Sequence, residues 1–141
     1  MERKKRKLIL SGYSEYPGPR YCEQGDCSGE DFYHKVLNDA FASAFNDNEI
    51  LSINLDGTAG YASSFLDEAF GNLVFDFSQN TVTSNIELVS KQEPDWKVMI
   101  IKEVFPDWEN RRLSNKVPKK TIRHAEWYRI IDGKLVKKKW L

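Results

Sequence analysis

Four side chains of this 141-residue chain offer a soft metal ligand, a nucleophile or a base: Cys22, Cys27, His34 and His124. The two cysteines stand five positions apart, whereas structural zinc sites usually draw on tighter Cys-x-x-Cys pairs. A cysteine nucleophile also needs a base held beside it, and we expect His34 to lie at the surface of a helix, about two turns from its start. The spacing therefore predicts no metal site, no cofactor and no thiol catalysis.

Three carboxylates, on Asp56, Asp67 and Glu68, flank the carboxyl end of a predicted strand, which is where open α/β sheets bind ligands. Paired carboxylates at such an edge can hold Mg²⁺ or exchange protons with a substrate. The chain has no Walker motif, no GxGxxG and no GxSxG to complete a site of that kind. Gly57 and Gly60 are interpreted as turn residues. We predict that the protein is not an enzyme.

The C-terminal residues interleave cationic and aromatic side chains. A platform for single-stranded nucleic acid needs cations for the phosphates and exposed rings on which bases stack, at roughly 1–3 kcal/mol each. A tryptophan on a terminal hairpin more often packs on its domain, however, and lysines on an edge strand prevent aggregation. Packing is the favoured interpretation, with nucleic acid or a protein partner as alternatives. The candidate nucleic-acid residues are Arg123, Trp127, Arg129, Lys137, Lys138 and Trp140.

The formal net charge of zero is unevenly distributed along the chain. Residues 1–7 carry five bases and one acid, residues 8–115 carry seven and eighteen, and residues 116–141 carry nine and two, giving net charges of +4, −11 and +7. We expect the basic ends to be solvated or to fold back onto the acidic body, with an anionic partner as the alternative.

The composition also bears on location. Two cysteines cannot form a disulfide scaffold, so we expect reduced thiols, as in the cytosol. Only three apolar residues, 8–10, follow the basic start, which is too few for the core of a signal peptide. No apolar run approaches the roughly 18–20 residues that a membrane span requires. The expected location is cytoplasmic, without a membrane.

The elements that must position these residues begin with a strand over 7–16. Ser28 has the features of a helix N-cap, with acidic residues in the first turn and apolar residues at helical spacing up to Phe45. A buried strand is predicted over 50–55, and a second amphipathic helix follows it and extends to Phe77.

The second half of the chain predicts a strand over 86–89 and a helix beginning at Pro94. A strand over 98–101 is the alternative to that helix, and Pro106 is expected to end the element in either case. Asp132-Gly133 between two alternating segments is a strong hairpin signal. The fold class is therefore α/β, a mixed sheet covered by helices, with a C-terminal β-hairpin that extends or caps the sheet.

The segment 53–74 is the most specific part of the sequence: a strand, an Asp-Gly turn, paired serines and the helix start Ser-Ser-Phe-Leu-Asp-Glu-Ala-Phe. It resembles the STAS-like family, uncharacterised relatives of the STAS domains of bacterial anti-sigma factor antagonists. The segments 18–21 and 28–32 also resemble that family's loop and first helix, and the resemblance extends over about residues 8–105. We expect a STAS-like domain over residues 1–115 and a basic hairpin extension over 116–141, packed on the same domain.

The resemblance implies a non-catalytic regulatory module that binds a protein partner, an ATP-binding anti-sigma factor or a histidine-kinase-like protein. In such antagonists the partner kinase phosphorylates a serine at the helix start, which corresponds here to Ser63, with Ser64 beside it. A helix N-terminus accommodates a phosphate, although acidic residues in the first turn repel one. Ser64 with Asp67 also approximates a capping box, which would make the serine a structural cap. The candidate docking residues are Asp56, Gly57, Thr58, Tyr61, Asp67 and Glu68.

Overall fold

A computed structural model describes residues 2–140, so Met1 and Leu141, the outer limits of the expected domains, lie outside it. Three parallel strands form one sheet in the order β1 (Lys5–Ile9), β2 (Ile50–Asn54) and β3 (Ile86–Val89). The α/β fold class is confirmed, and the sheet is wholly parallel rather than mixed. The predicted first strand is shorter than expected, because a 3₁₀ turn begins at Leu10.

The helices connect and cover these strands. After a second 3₁₀ turn at Cys22–Gln24, they are α1 (Gly29–Phe32), α2 (Asn38–Asn46), α3 (Ser63–Phe77), α4 (Gln79–Asn85), α5 (Pro94–Met99) and α6 (Phe105–Leu113). A π-helical turn at Tyr33–Leu37 joins α1 to α2, and another at Ile100–Val104 joins α5 to α6, so each pair is one continuous helical rod. The alternative strand over 98–101 is therefore wrong. Across residues 2–140 no helix has the length and apolar character needed to cross a membrane.

The rod that begins with α1 starts at the predicted N-cap. The Ser28 hydroxyl accepts a hydrogen bond from the Asp31 N–H at 3.0 Å, which satisfies one of the free donors of the first turn. Glu30 and Asp31 add negative charge at the positive end of the helix dipole. Local capping thus fixes where this helix begins.

The central helix α3 is buried on nearly every side. It packs against α1, α4 and α6, and apolar residues such as Phe65, Phe70 and Phe77 are fully buried in the core. A helix that is apolar around its whole circumference is stable only when neighbours cover all of it. Three polar residues four positions apart, Glu68, Asn72 and Asp76, nevertheless lie buried along one stripe of α3.

The C-terminal hairpin consists of β4 (Trp127–Ile131) and β5 (Lys134–Lys138). Asp132 and Gly133 form its turn, both with positive φ, as a type I′ turn requires. The hairpin pairs with no strand of the three-stranded sheet in the part of the chain that is described. Its strand β4 packs instead on the helices α2 and α3.

Candidate functional site

The first turn of α3 exposes the two candidate phosphoserines unequally. Ala62 is the N-cap, without a side-chain cap, so the capping box expected for Ser64 and Asp67 is wrong. Ser63 is the first helical residue and is exposed, whereas Ser64 is half-buried. Neither hydroxyl has a hydrogen-bond partner within residues 2–140. Ser63 is therefore the more accessible of the two serines.

Arg20 from the first loop ties down the acidic residues of the same turn. Its Nη1 donates to Asp67 Oδ2 at 2.5 Å and to Glu68 Oε1 at 3.3 Å. The indole of Trp108 donates to the other Asp67 oxygen at 3.0 Å. Glu68 is only 2% exposed, and Asn72 Nδ2 donates to its second oxygen at 2.8 Å. Internal donors therefore occupy the carboxylates of both candidate docking residues, Asp67 and Glu68.

A pocket of about 330 Å³ opens beside Ser63. Arg20 supplies the positive charge in its wall, and Asp67, Glu103 and Asp107 supply three negative charges. Met99 and Val104 supply the apolar part of the wall. The two bonds from Arg20 use one nitrogen, and its other N–H groups donate to no group within the described residues. The pocket is therefore acidic but retains N–H donors.

The turn that precedes α3 is held rigid by its own polar groups. The Asp56 carboxylate accepts from the backbone N–H groups of Lys91 and Gln92 at 2.9–3.1 Å. Gly57 N–H donates to the Gln92 side chain at 2.9 Å. Asp56 thus joins two loops, which is a structural role.

Thr58 and Tyr61 stabilise the rest of the same turn. Gly60 N–H donates to the Thr58 hydroxyl at 3.2 Å, and the Tyr61 hydroxyl donates to the Leu55 carbonyl at 2.8 Å. Burial raises the pKa of Tyr61 to about 12. The ring of Tyr61 also meets Trp96 edge to face at 4.6 Å between centroids. The turn consequently presents a preformed surface.

A second polar cluster, which the sequence spacing does not reveal, surrounds Glu30. This fully buried carboxylate accepts four hydrogen bonds, from Cys22 N–H at 3.0 Å, from Thr121 N–H and Oγ1 at 2.9 and 2.6 Å, and from His124 Nε2 at 2.6 Å. Burial would raise the pKa of Glu30, but bonds from Thr121, His124 and Cys22 outweigh it and lower that pKa to about 2. Alternation of apolar and polar residues gave no signal for a pairing between positions so far apart.

The side chains of Cys22, Glu30 and His124 come close enough to suggest a metal site, with ligand atoms within 4.8 Å of one another. Two ligands of one tetrahedral zinc ion lie roughly 3.3 Å apart, given bonds of about 2.0–2.1 Å. The His124–Glu30 distance of 2.6 Å is instead that of a charge-assisted hydrogen bond. Burial also raises the pKa of Cys22, which disfavours the thiolate. This geometry fits a hydrogen-bonded cluster better than a metal centre.

His34 does not lie at a helix surface, so that expectation is wrong. Its ring stacks on His124 at 3.7 Å between centroids and meets Trp127 edge to face at 4.7 Å. Burial, with smaller contributions from Lys120 and His124, lowers the pKa of His34 to about 2. Both ring nitrogens of His34 are buried and have no hydrogen-bond partner among the described groups. A neutral imidazole in this position contributes to packing and is poorly placed to act as a catalytic base.

The polar stripe of α3 holds the C-terminal segment. Lys120 Nζ, on a half-buried side chain, donates to Asn72 Oδ1 at 2.7 Å, and Arg129 Nε donates to Asp76 Oδ1 at 2.9 Å. The Tyr33 hydroxyl donates to Asp76 Oδ2 at 2.5 Å. Burial lowers the pKa of Lys120 and raises that of Asp76. Opposite charges therefore bind the hairpin segment to the helices.

The hairpin gives only part of the predicted nucleic-acid platform. Trp127 is 2% exposed and Arg129 is paired with Asp76, so neither of these two candidate residues is free to contact a base or a phosphate. Trp140 donates its indole N–H to the Trp127 carbonyl, and the cations of Arg129 and Lys138 each lie 4.5 Å from its ring centroid. Arg123, Lys137 and Lys138 are exposed.

Residues 28–96, a little under half of the chain, match the family described as the STAS-like domain of unknown function (DUF4325). This segment runs from the Ser28 cap through β2, α3 and β3 to Trp96, and thus includes Ser63 and its turn. No curated protein and no solved structure matches the chain significantly.

Proposed function

We propose, from the membership of residues 28–96 in the STAS-like family, that this protein is a non-catalytic regulatory module that binds a protein partner. The docking face would be the turn 57–62 together with Ser63. Its rigid backbone favours recognition, because little conformational entropy is lost when a partner binds a preformed surface. The proposed absence of catalysis agrees with Glu30, Asp67 and Glu68, whose carboxylates are occupied by internal donors.

The observation that carries this proposal is the exposed Ser63 hydroxyl at the start of a fifteen-residue helix. A phosphate there would add about two negative charges at the positive end of the helix dipole. Arg20 retains N–H donors on the same pocket, while Glu103 and Asp107 would repel the new charge. Phosphorylation would thus change the charge of the docking face without requiring the fold to open.

The proposed partner is an ATP-binding anti-sigma factor or a histidine-kinase-like protein, which would transfer the γ-phosphoryl group of ATP to Ser63 and release ADP. Ser64 is the less accessible acceptor, because it is half-buried. Asp56 is unsuitable for a test of docking, because its removal would release the loop at Lys91 and Gln92.

The test compares three tagged proteins purified from the source cells: the wild type, Ser63→Glu and Ser84→Glu. Ser84 is an exposed serine on α4, away from the docking face, and serves as the matched control. We expect a stoichiometric ATP-binding protein with the wild type and with Ser84→Glu, and a recovery reduced by about tenfold or more with Ser63→Glu.

The recovered partner is then purified and incubated with the wild type and with Ser63→Ala in the presence of ATP. A phosphate on Ser63 of the wild type, located by mass spectrometry, supports the switch. Equal recovery of the partner by all three tagged proteins would contradict the proposed face, and an unmodified Ser63 would contradict phosphorylation.

Nucleic acid has less support as the partner. The burial of Trp127 and the cations over the Trp140 ring remove the two indoles that this alternative needs for base stacking. The exposed lysines of β5 alone would give weak binding that falls steeply with salt.

A further inference from the structure

The outer edge of β3 has no partner strand in residues 2–140, because β3 pairs only with β2. A groove of about 380 Å³ follows this edge. The strand side of the groove is formed by Ile86, Glu87 and Leu88, and the opposite side by Lys97, Ile101 and Phe105 of the rod that joins α5 to α6. Ile50 of β2 and Thr83 of α4 also line it, next to the start of β3. The groove therefore lies between a strand edge and a helix.

The backbone of β3 directs hydrogen-bonding groups into this groove. The Val89 carbonyl accepts from Leu55 N–H at 2.8 Å, so Val89 faces β2. In a parallel ladder alternate residues bond to the same neighbour, so Glu87 also faces β2. Ile86 and Leu88 then direct their N–H and C=O groups away from β2 and towards the groove, where Ile86 is half-buried and Leu88 is 4% exposed. An added strand would find both a donor and an acceptor there.

The helical side of the groove offers an apolar wall. Ile101 is 41% exposed there, and Phe105 lies one turn further along, fully buried beneath the groove. A strand next to β3 would cover Ile101 with its side chains on one face, while the other face stayed open. An extended segment can bury Ile101 and pair with the free strand edge at the same time. These two contributions favour an extended peptide over a globular surface as the binding partner.

The charged side chains of the groove indicate which charge a bound segment should carry. Glu87 is already paired, since it accepts from Lys5 Nζ at 2.7 Å and from the Ser52 hydroxyl at 2.9 Å. Lys97 is exposed and forms no ion pair within the part of the chain that is described. The charged group of the groove that lacks an ion-pair partner is thus the Lys97 ammonium, and a carboxylate on the bound segment would complement it.

We propose that this groove binds an extended peptide segment of a partner protein as a fourth strand beside β3. The segment carries alternating apolar side chains that cover Ile101 and an acidic side chain opposite Lys97. Main-chain bonds to Ile86 and Leu88 provide the pairing, and the two side chains provide the selectivity. This surface is separate from the docking face at Ser63, so each of the two proposals stands or fails alone.

The test uses a phage-displayed library of random ten-residue peptides, selected on the immobilised full chain. We expect enriched peptides with alternating apolar residues and an Asp or Glu at a constant position. Their affinity should fall about tenfold or more for Ile101→Arg and for Lys97→Glu. It should not change for Lys102→Glu, an exposed control on the same rod that does not line the groove.

Hydrogen exchange provides the second measurement. A selected peptide should slow exchange of the Leu88 amide in the wild type and leave it unchanged in Lys97→Glu. Thermal melts of the three variants check that each is folded, and two independent variants keep the test valid if one is not. The proposal is overturned if no peptide is enriched above an empty surface, if selected peptides bind Ile101→Arg equally well, or if Leu88 exchange does not change.

Discussion

At the scale of single residues, Glu30 shows how burial and hydrogen bonding compete over one carboxylate. Removal from water favours its neutral form, but four hydrogen-bond donors favour the charged form. The effect of the donors is larger, so the pKa of Glu30 is lowered. A carboxyl whose folded pKa lies below its ordinary value of 4.5 stabilises the fold above that pH. The stabilisation is lost as the pH falls from about 4.5 to about 2.

Glu30→Gln should therefore lower the free energy of unfolding by about 3 kcal/mol at pH 7, and by progressively less as the pH approaches 2. The measurement is urea unfolding followed by circular dichroism across this pH range. Because burial raises the pKa values of Glu68 and Asp76, the quantity of interest is the difference between wild type and variant at each pH. Glu23→Gln, an exposed control, should differ by less than about 1 kcal/mol. A pH-independent difference for Glu30→Gln would contradict this account.

At the scale of elements, the contact of α3 with α6 depends on one small residue. A Cβ at Gly71 would lie 2.1 Å from the indole of Trp108, so the two helices approach closely only because Gly71 has no side chain. The same indole donates to Asp67, which in turn holds Arg20. Helix packing thus positions the pocket beside Ser63.

Gly71→Ala should destabilise the protein by about 1–3 kcal/mol, although alanine favours a helix by about 1 kcal/mol. The separation of the helices should also shift the fluorescence of Trp108 as its bond to Asp67 lengthens. Gly12→Ala is the control, because no atom lies within 4 Å of its added Cβ, and it should change stability by less than about 0.5 kcal/mol. Equal stabilities of the two variants would show that α6 adapts without cost.

Each of the two helical rods contains a π-helical turn that the sequence analysis did not predict. Pro106 was expected to end its helix, but it lies in the first turn of α6 and the rod continues to Leu113. The π-helical turn immediately before it has a wider backbone, which relieves the clash of the proline ring with the preceding turn. A π turn inserts one residue without a compositional signal, so helical periodicity did not reveal it.

At the scale of the whole molecule, the C-terminal segment completes the fold. Lys120, Thr121, His124 and Arg129 satisfy buried acidic or amide groups on α1 and α3. The basic C-terminus thus folds back onto the acidic body, as the more conservative interpretation of the charge distribution had it. Buried charges that lose their partners cost several kcal/mol each, which is comparable to the whole stability of a small domain.

Deletion of residues 117–141 should therefore abolish cooperative unfolding in urea, measured by circular dichroism. The triple variant Lys137→Glu, Lys138→Glu and Lys139→Glu should keep it, because these lysines are exposed. The triple variant is consequently the sound test for nucleic-acid binding. If the shortened chain unfolds at the same urea concentration as the full chain, the C-terminal segment is a separable appendage.

The sequence by itself determined the parts of this protein that depend on neighbouring residues. The Ser28 cap, the strand over 86–89, the α3 helix and the Asp132-Gly133 turn follow from contacts or dihedral angles within a few positions. The Asp-Gly turn and the serine-rich helix start likewise sufficed to indicate the resemblance to the STAS-like family, whose model matches residues 28–96.

Only the tertiary structure decided which polar residues are buried and which are free to bind. Glu68 and Glu30 are buried with partners, Arg20 and His124, that lie 48 and 94 positions away along the chain. Trp127 likewise became a core residue when the hairpin packed on α2 and α3. The free energy of a charge or an indole depends on the groups that replace its water, and those groups are brought together only by the complete fold.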